Sequence, residues 1–377
     1  MVKRIIIKIL FKTKLNVFLY KLIKKRFINV CEHFTEADVQ KAWNTLNSFH
    51  KDVKSTAITN NKLDIHYDLQ IIIPVYNVEK YIIECVESVL SQKINCSYII
   101  TIINDGSPDS SRKLLTKYEN NAHIEIIDQE NRGFSGARNR GLETIKGRYI
   151  TFLDSDDRLT PNSITVMMNA ADKYHADIVQ GGYNSISECD GKILNSYKGV
   201  LAVSDTDESF LKGFPWGKLF KAELFEKIHF PEKYWFEDTI CAYLLFPLSK
   251  IKVGIEDIVY DYRKNRKGIS FTSRGKLKTL DTLYITNSLI KDAQNFEYAK
   301  SDAFYTRQFQ QIKNNQGRIS TIGNKEIQKA AFIVHCDLIE RYFCNNKLIT
   351  DNYAYKEMEN AIKTHNFILY KLIADLL

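Results

Sequence analysis

Residues 149–157 read Tyr-Ile-Thr-Phe-Leu-Asp-Ser-Asp-Asp, a short apolar run ending in three carboxylates, Asp154, Asp156 and Asp157. Such a cluster repels itself and resists burial, so it calls for a positive ligand. Alternate residues of a strand share a face, so Asp154 and Asp156 point together while Ser155 points away. Hard divalent cations such as Mg²⁺ or Mn²⁺ take one or two carboxylates plus phosphate oxygens and water. A strand-end Asp-Ser-Asp therefore suggests a metal–diphosphate site. The alternative is a solvated loop in which Asp157 or Thr160 caps a helix opened by Pro161.

Those carboxylates need a scaffold, and the chain supplies an alternating one. Apolar strands are expected at 69–75, 97–103, 124–127, 149–153 and 177–180, with helices at 79–92, 110–118, 136–145 and 161–174 between them. Ile82, Cys85, Val86, Val89 and Leu90 make a helical apolar face in the first of these helices. Near-continuous Ile/Val strands joined by helical crossovers imply an α/β fold, doubly wound, with a mainly parallel sheet covered on both faces. In such sheets ligands bind outside the carboxyl ends of the strands. Those ends read Pro74-Val-Tyr-Asn, Asn104-Asp-Gly-Ser, Gln129-Glu-Asn-Arg-Gly and Asp154-Ser-Asp-Asp. There is no GxxxxGKS loop, and Gly133, Gly136 and Gly141 are spaced wrongly for GxGxxG, which disfavours P-loop kinases and dinucleotide oxidoreductases.

The chain of 377 residues is 44% hydrophobic, enough for a substantial core. Its seven cysteines are scattered singly, without CxxC or paired-His spacing, which argues for a reducing compartment and against a zinc site. No apolar run approaches the ~20 residues of a membrane-spanning helix. These features point to a cytoplasmic protein, soluble or peripheral on the inner face of the membrane. Residues 1–65 carry thirteen Lys/Arg against five Asp/Glu, a net +8 that equals the charge of the whole chain. Basicity thus belongs to one appendage, and no nucleic-acid partner is expected. Three segments follow: a basic helical extension and linker at 1–65, the α/β domain at 66–265, and a helical region at 266–377. A polar linker is expected at 51–62.

The motifs resemble glycosyltransferase family 2, inverting nucleotide-sugar transferases of GT-A fold. The matching stretches are Ile71-Ile-Ile-Pro-Val-Tyr-Asn-Val-Glu79, Ile103-Asn-Asp-Gly-Ser-Pro-Asp109, Asn131-Arg-Gly-Phe-Ser-Gly-Ala-Arg-Asn-Arg-Gly141, Phe152-Leu-Asp-Ser-Asp-Asp157 and Phe236-Glu-Asp-Thr239, across about 68–262. The resemblance implies that Pro74, Val75 and Tyr76 line a base pocket, that Asp105 bonds the nucleobase and that Arg138 contacts the nucleotide. It places the ribose on Asp154, with Ser155 beside it, and the divalent metal, Mn²⁺ or Mg²⁺, on Asp156. It makes Asp238 the catalytic base, with Glu237 close by; alternatively Asp238 caps a helix over 239–246 that Pro247 ends. Asn104 stands where many members have another Asp. Trp216, Tyr234 and Trp235 could stack on sugar faces or fill the core. The Tyr262-Arg263…Arg266…Ser270 stretch could close over the diphosphate or form a solvated loop.

The implied function is metal-dependent, inverting transfer of a single sugar, from a UDP-sugar by family frequency, to a hydroxyl of a glycan or lipid-linked acceptor in bacterial surface-polysaccharide assembly. A processive synthase would carry QxxRW, and a sugar nucleotidyltransferase a Gly-rich loop after the first strand; neither motif is present. A catalytically degenerate scaffold is opposed by the intact Asp154, Asp156 and Asp238. Residues 3–30 read as a Lys-rich helix with Ile7, Phe11, Leu15, Phe18 and Leu22 on one side, interrupted by Lys14 and Lys25. It suits an anionic membrane surface. Packing on the C-terminal helices, or a homodimer contact with the oily end 367–377, is the other use for it.

Overall fold

The computed structural model describes residues 15–265 and 268–377. They form two compact units, one joining 15–54 to Ile269–Leu377 and the other comprising Ser55–Gly268. The basic extension therefore shares a unit with the C-terminal helices, and the boundaries fall at 54/55 and 268/269 rather than at 65/66 and 265/266. Part of the expected linker is fixed in place: Ala57 is buried, Ile58 bridges Ile228, and Asn61 Nδ2 donates to the Phe225 and Ile228 carbonyls.

The Ser55–Gly268 unit is built on ten strands: β1 (Lys62–Val75), β2 (Tyr98–Asp105), β3 (Ile124–Gln129), β4 (Thr144–Phe152), β5 (Arg158–Leu159), β6 (Ile178–Ser187), β7 (Ile193–Tyr197), β8 (Ala202–Ser204), β9 (Lys218–Lys221) and β10 (Lys252–Lys264). Their order is β3-β2-β1-β4-β9-β6-β10-β5, with β7 on β6 and β8 on β10. β1 runs parallel to β2 and β4, β2 to β3, and β6 to β10. β9 is antiparallel to both β4 and β6, so those two point the same way. The carboxyl ends of β1, β2, β4, β6 and β10 consequently share one edge of the sheet.

Leu69, Ile71, Ile72, Ile73 and Val75 are all fully buried, as a central strand covered on both faces requires. Ile82, Cys85, Val86 and Val89 bury one side of the helix Ile82–Leu90 against that core, with Leu90 at its margin. Each such side chain contributes roughly 1.5–3 kcal/mol. Gln70 is buried among them and stitches three elements, donating to Thr101 Oγ1 and the Gly141 carbonyl and accepting from the Lys146 amide. Gly141 lets the helix Gly133–Leu142 approach β1, since a Cβ there would sit 2.7 Å from Ile72 Cγ2.

Helix boundaries differ from the sequence expectation, the helix expected at 79–92 being Ile82–Leu90 and that at 110–118 Ser111–Leu115 with a 3-10 turn after it. The helix expected at 136–145 is Gly133–Leu142, and Thr144 and Ile145 instead pair with Lys62 and Leu63 of β1. Polar residues in both segments hide this pairing, which only the sheet imposes. The helix after Pro161 begins at Ser163 behind Asn162, whose left-handed backbone gives no side-chain cap. Neither Asp157 nor Thr160 caps it; Thr160 Oγ1 donates to the Ile258 carbonyl.

In the other unit, side-chain caps start five of the described helices. Thr35 and Asp38 form a reciprocal capping box for Glu36–Phe49, and Ser301, Asn324, Asn352 and Asn366 cap four later helices. Of the helix expected at 3–30, Leu15–Phe27 is described and residues 3–14 lie outside the described residues. It packs through polar groups: Asn16 Nδ2 donates to the Leu376 carbonyl, and Tyr20 and Lys24 both bond Glu357. Leu15, Phe18 and Leu22 point away, at 52%, 65% and 58% exposure. The oily end buries Leu369, Tyr370 and Ile373 within the same unit.

Candidate active site

One side of the candidate site lies where β1 and β2 stop. Pro74 and Val75 are buried and Tyr76 is half exposed, because Asn77 turns the backbone at φ +55°. Asp105 ends β2 and is 1% exposed. Its Oδ1 accepts from Gln129 Nε2 at 2.7 Å and from the Arg132 amide at 2.8 Å. Its Oδ2 is buried without a partner among the described residues. A buried, unpaired carboxylate oxygen is costly unless something donates to it, so this atom is a candidate ligand contact. Gly106 follows at φ +66°, a conformation that frees the chain to turn. Asn104 supports that turn, donating to Asp128 and accepting from the Ser107 amide.

The three carboxylates after β4 have separate environments. Asp157 is buried, accepting from Tyr260 Oη at 2.9 Å and the Arg263 amide at 2.6 Å. Burial, then the charges of Asp156 and Asp154, push its proton affinity well up. It is a structural anchor to β10. Ser155 is also buried. Asp156 stays partly open, with Asn265 Nδ2 at 3.5 Å from Oδ2. Burial first and Asp154 second raise Asp156 to about 6. Asn265 and the Arg263 charge offset this only in part, and one such carboxylate fits a hard cation that brings phosphate oxygens and water. Among the described residues, no group of three or more His, Cys, Asp or Glu side chains offers a complete protein cage.

Arg138 joins the two carboxylate regions. It lies on the helix Gly133–Leu142, its side chain 5% exposed, and bonds Asp154 Oδ1 at 2.7 Å and Glu237 Oε1 at 2.6 Å. Burial opposes its charge, but the carboxylates outweigh burial and raise its proton affinity. Its two terminal nitrogens are engaged by these carboxylates, while its Nε is buried without a partner among the described residues. Burial pushes Glu237 up to about 7, with Arg138 opposing and Asp238 adding to the rise. Asp238 follows, after Phe236 at φ +66°. The helix expected at 239–246 runs over 239–248 and widens into a π turn at Cys241–Leu245. Pro247 lies inside it: lacking an N–H and crowding the preceding turn, it is accommodated by the wider winding.

The aromatic expectations separate. Trp216 is buried in a stack, 3.6 Å from Phe214, 4.6 Å from Tyr260 and 5.3 Å from Tyr262 between centroids. Tyr234 is also buried, leaving Trp235 as the partly open member of the three. Arg263 does not stand open over the site: it is 4% exposed, its Nε donates to the Asp156 carbonyl at 2.7 Å, and its Nη2 meets Glu84 at 2.7 Å. Arg266 and the Ser270 side chain lie outside the described residues. Glu84 and Arg158 support this edge through ion pairs that local sequence patterns did not reveal. Glu84 receives both Arg263 and Arg158, and Arg158 also pairs with Asp261 on β10. No periodicity marks such contacts, which span 74 to 179 residues.

Residues 70–233 match the model described as Glycosyl transferase family 2. Glycosyltransferase GlyA of Streptococcus pneumoniae serotype 4 is 33% identical over 54% of this chain and 31% of its own length. Minor teichoic acid biosynthesis protein GgaA of Bacillus subtilis is 31% identical over 60% of this chain and 54% of its own length. The chain thus spans about a third to a half of these relatives. The structure of S. aureus TarS 1-349 in complex with UDP-GlcNAc superposes with a TM-score of 0.60 at 18% identity, covering 81% of this chain and 90% of that one. That likeness concerns the fold, a mostly parallel sheet with helices and a C-terminal helical region. Over residues 70–233, where the strand-end geometry is assembled, the chain carries a domain that matches glycosyltransferase family 2.

Proposed function

We propose that the protein transfers a single sugar, with inversion and with a divalent cation, from a nucleotide-sugar to an acceptor hydroxyl. The observation that carries this reading is Arg138, which ties Asp154 on the donor side to Glu237 beside Asp238. A donor-binding carboxylate and the neighbour of the base, held by one buried guanidinium, suit a single displacement. In that step the acceptor oxygen bonds the anomeric carbon as the bond to the diphosphate oxygen breaks, and the hydroxyl proton passes to Asp238. Asp156 would hold Mn²⁺ or Mg²⁺ together with diphosphate oxygens. A cation bound there supplies charge neutralisation to the leaving group. Asp154 meets the ribose with the carboxylate oxygen that Arg138 leaves free.

A uracil or thymine base is favoured because its pairing edge offers one N–H, between two carbonyls, to the single unpaired oxygen of Asp105. A UDP-sugar bound by TarS is in keeping with that donor class. The teichoic acid role named for GgaA supports a surface-glycan acceptor, free or lipid-linked. A screen of donor hydrolysis across UDP-, GDP- and dTDP-sugars with Mn²⁺ should show turnover with UDP-sugars. Turnover confined to GDP-sugars would refute the base assignment.

No helix among the described residues is long and apolar enough to cross a membrane. Peripheral attachment at the cytoplasmic leaflet is the reading we favour, through exposed Leu15, Phe18 and Leu22 flanked by Lys21, Lys25 and Arg26. Each basic residue near an anionic surface is worth about 1 kcal/mol, and salt screens it. The protein should co-sediment with anionic vesicles at low salt, and replacing all three apolar residues by Ser should abolish this. A wild-type chain that stays in the supernatant at low salt excludes the attachment.

A further inference from the structure

Within the unit that joins 15–54 to Ile269–Leu377, the helices Glu36–Phe49, Asp281–Ala293 and Lys325–Phe343 leave a groove of about 400 Å³ between them. That volume lies in the range of small-molecule sites. Glu36, Val39, Gln40 and Trp43 reach it from the first helix at i, i+3, i+4 and i+7, the spacing of one helical face. Such a face normally carries core residues; this one carries a carboxylate, an amide and a partly open indole.

Asn287 lines the groove from the second helix and is 8% exposed. Its side-chain amide has two donors and an acceptor, and makes no hydrogen bond among the described residues. By contrast, the buried amides of Gln308, Gln311 and Asn315 in the same unit all donate within it. A nearly buried amide without partners is costly unless a ligand or water completes it.

The walls limit what that ligand is. Glu36 and Asp337 bring two negative charges, Lys291 and Arg341 two positive ones, so the groove favours neither anion nor cation. An ion pair of 2.8 Å with Asp337 fixes the Arg341 guanidinium. Val39 and Leu338 offer too little apolar surface for a lipid chain. Trp43 stacks on buried Tyr284, centroids 6.1 Å apart and planes 23° from parallel, and Tyr284 Oη donates to the His50 carbonyl at 2.6 Å. The indole is thus held in place, and Tyr342 adds a second partly open ring. Aromatic faces ringed by planar carboxylate, amide and guanidinium groups suit a molecule with apolar C–H faces and many hydroxyls.

We propose that this groove binds a neutral oligosaccharide, Trp43 packing on a sugar face while Asn287 completes its hydrogen bonds with sugar hydroxyls. The inference goes beyond the transfer reading and does not rest on it. Calorimetric titration of the full chain with neutral trisaccharides of glucose, galactose and N-acetylglucosamine tests it. At least one should bind, equally at low and high salt, and inorganic phosphate should not compete. Asn287→Leu keeps the side-chain volume and removes the amide. It has no internal hydrogen bond to lose, so the variant should melt no lower than wild type and hydrolyse donor at the wild-type rate, while its saccharide affinity falls roughly tenfold or more. Trp43→Ala should weaken binding by a similar factor; if it does not fold, Asn287→Leu alone decides. The proposal is overturned if wild type binds none of the trisaccharides, if phosphate displaces them, or if Asn287→Leu binds like wild type or fails to fold. A chain that binds saccharide in this way but hydrolyses no nucleotide-sugar loses the transfer reading and keeps this one.

Discussion

Asp238→Asn leaves the protein folded and able to bind donor, and lowers sugar transfer by roughly 10²-fold or more. The substitution keeps shape and removes the proton acceptor. Asn and Asp serve helix starts about equally well, so a capping role for Asp238 would survive it. Electrostatics also predict the direction of the stability change. Glu237 is held up at about 7 by burial, with the Asp238 charge contributing. Its ordinary value is 4.5, so below that pH both states are protonated; from 4.5 to about 7 the unfolded chain releases a proton that the folded chain keeps, and stability falls as pH rises. Removing the Asp238 charge lessens that loss, so the variant should unfold at no lower temperature than wild type at pH 8. Arg138 stays paired with Asp154 and Glu237 in either protein. Calorimetric donor titration, thermal unfolding and initial transfer rates together check the result. Transfer at near wild-type rate would move the base elsewhere, with Glu237 the next carboxylate to substitute.

Asp156→Asn has the second large effect: turnover is abolished, and donor binding no longer depends on divalent ions. Of the three strand-end carboxylates, Asp157 is consumed by Tyr260 and the Arg263 amide, and Asp154 is engaged by Arg138. Asp156 is left partly open in a negative field. Losing the charge stabilisation of a bound cation removes several kcal/mol from the transition state, about 10³-fold in rate or more. The carbonyl of residue 156 still receives Arg263 Nε, so the loop should keep its shape. Donor titrations with and without Mn²⁺ should differ for wild type and coincide for the variant. Full wild-type activity in excess EDTA would defeat the metal assignment.

Fold class was legible in the chain because buried parallel strands and amphipathic crossovers leave local signatures. The Ile71-Ile-Ile-Pro-Val run and the helical face Ile82, Cys85, Val86 and Val89 announce their burial by spacing alone. The residue types at strand ends were legible too, since acidic and Gly-containing turns after apolar runs are local patterns. Asp105, Asp154, Asp156 and Asp238 therefore stand out by their immediate neighbours in the chain. What each does to the others was decided by tertiary contacts. The sheet and helices bring Arg138 to Glu237 across 99 positions, and Arg263 to Asp156 across 107. Strand pairing drew Thr144 and Ile145 into β4 against their apparent helical register, and sent Trp216 into an aromatic stack instead of an open sugar-binding face. Burial gave Glu237 its altered proton affinity. Periodicity records which face of an element is apolar; which charged groups meet, and how much water remains around them, depends on elements packed from distant parts of the chain.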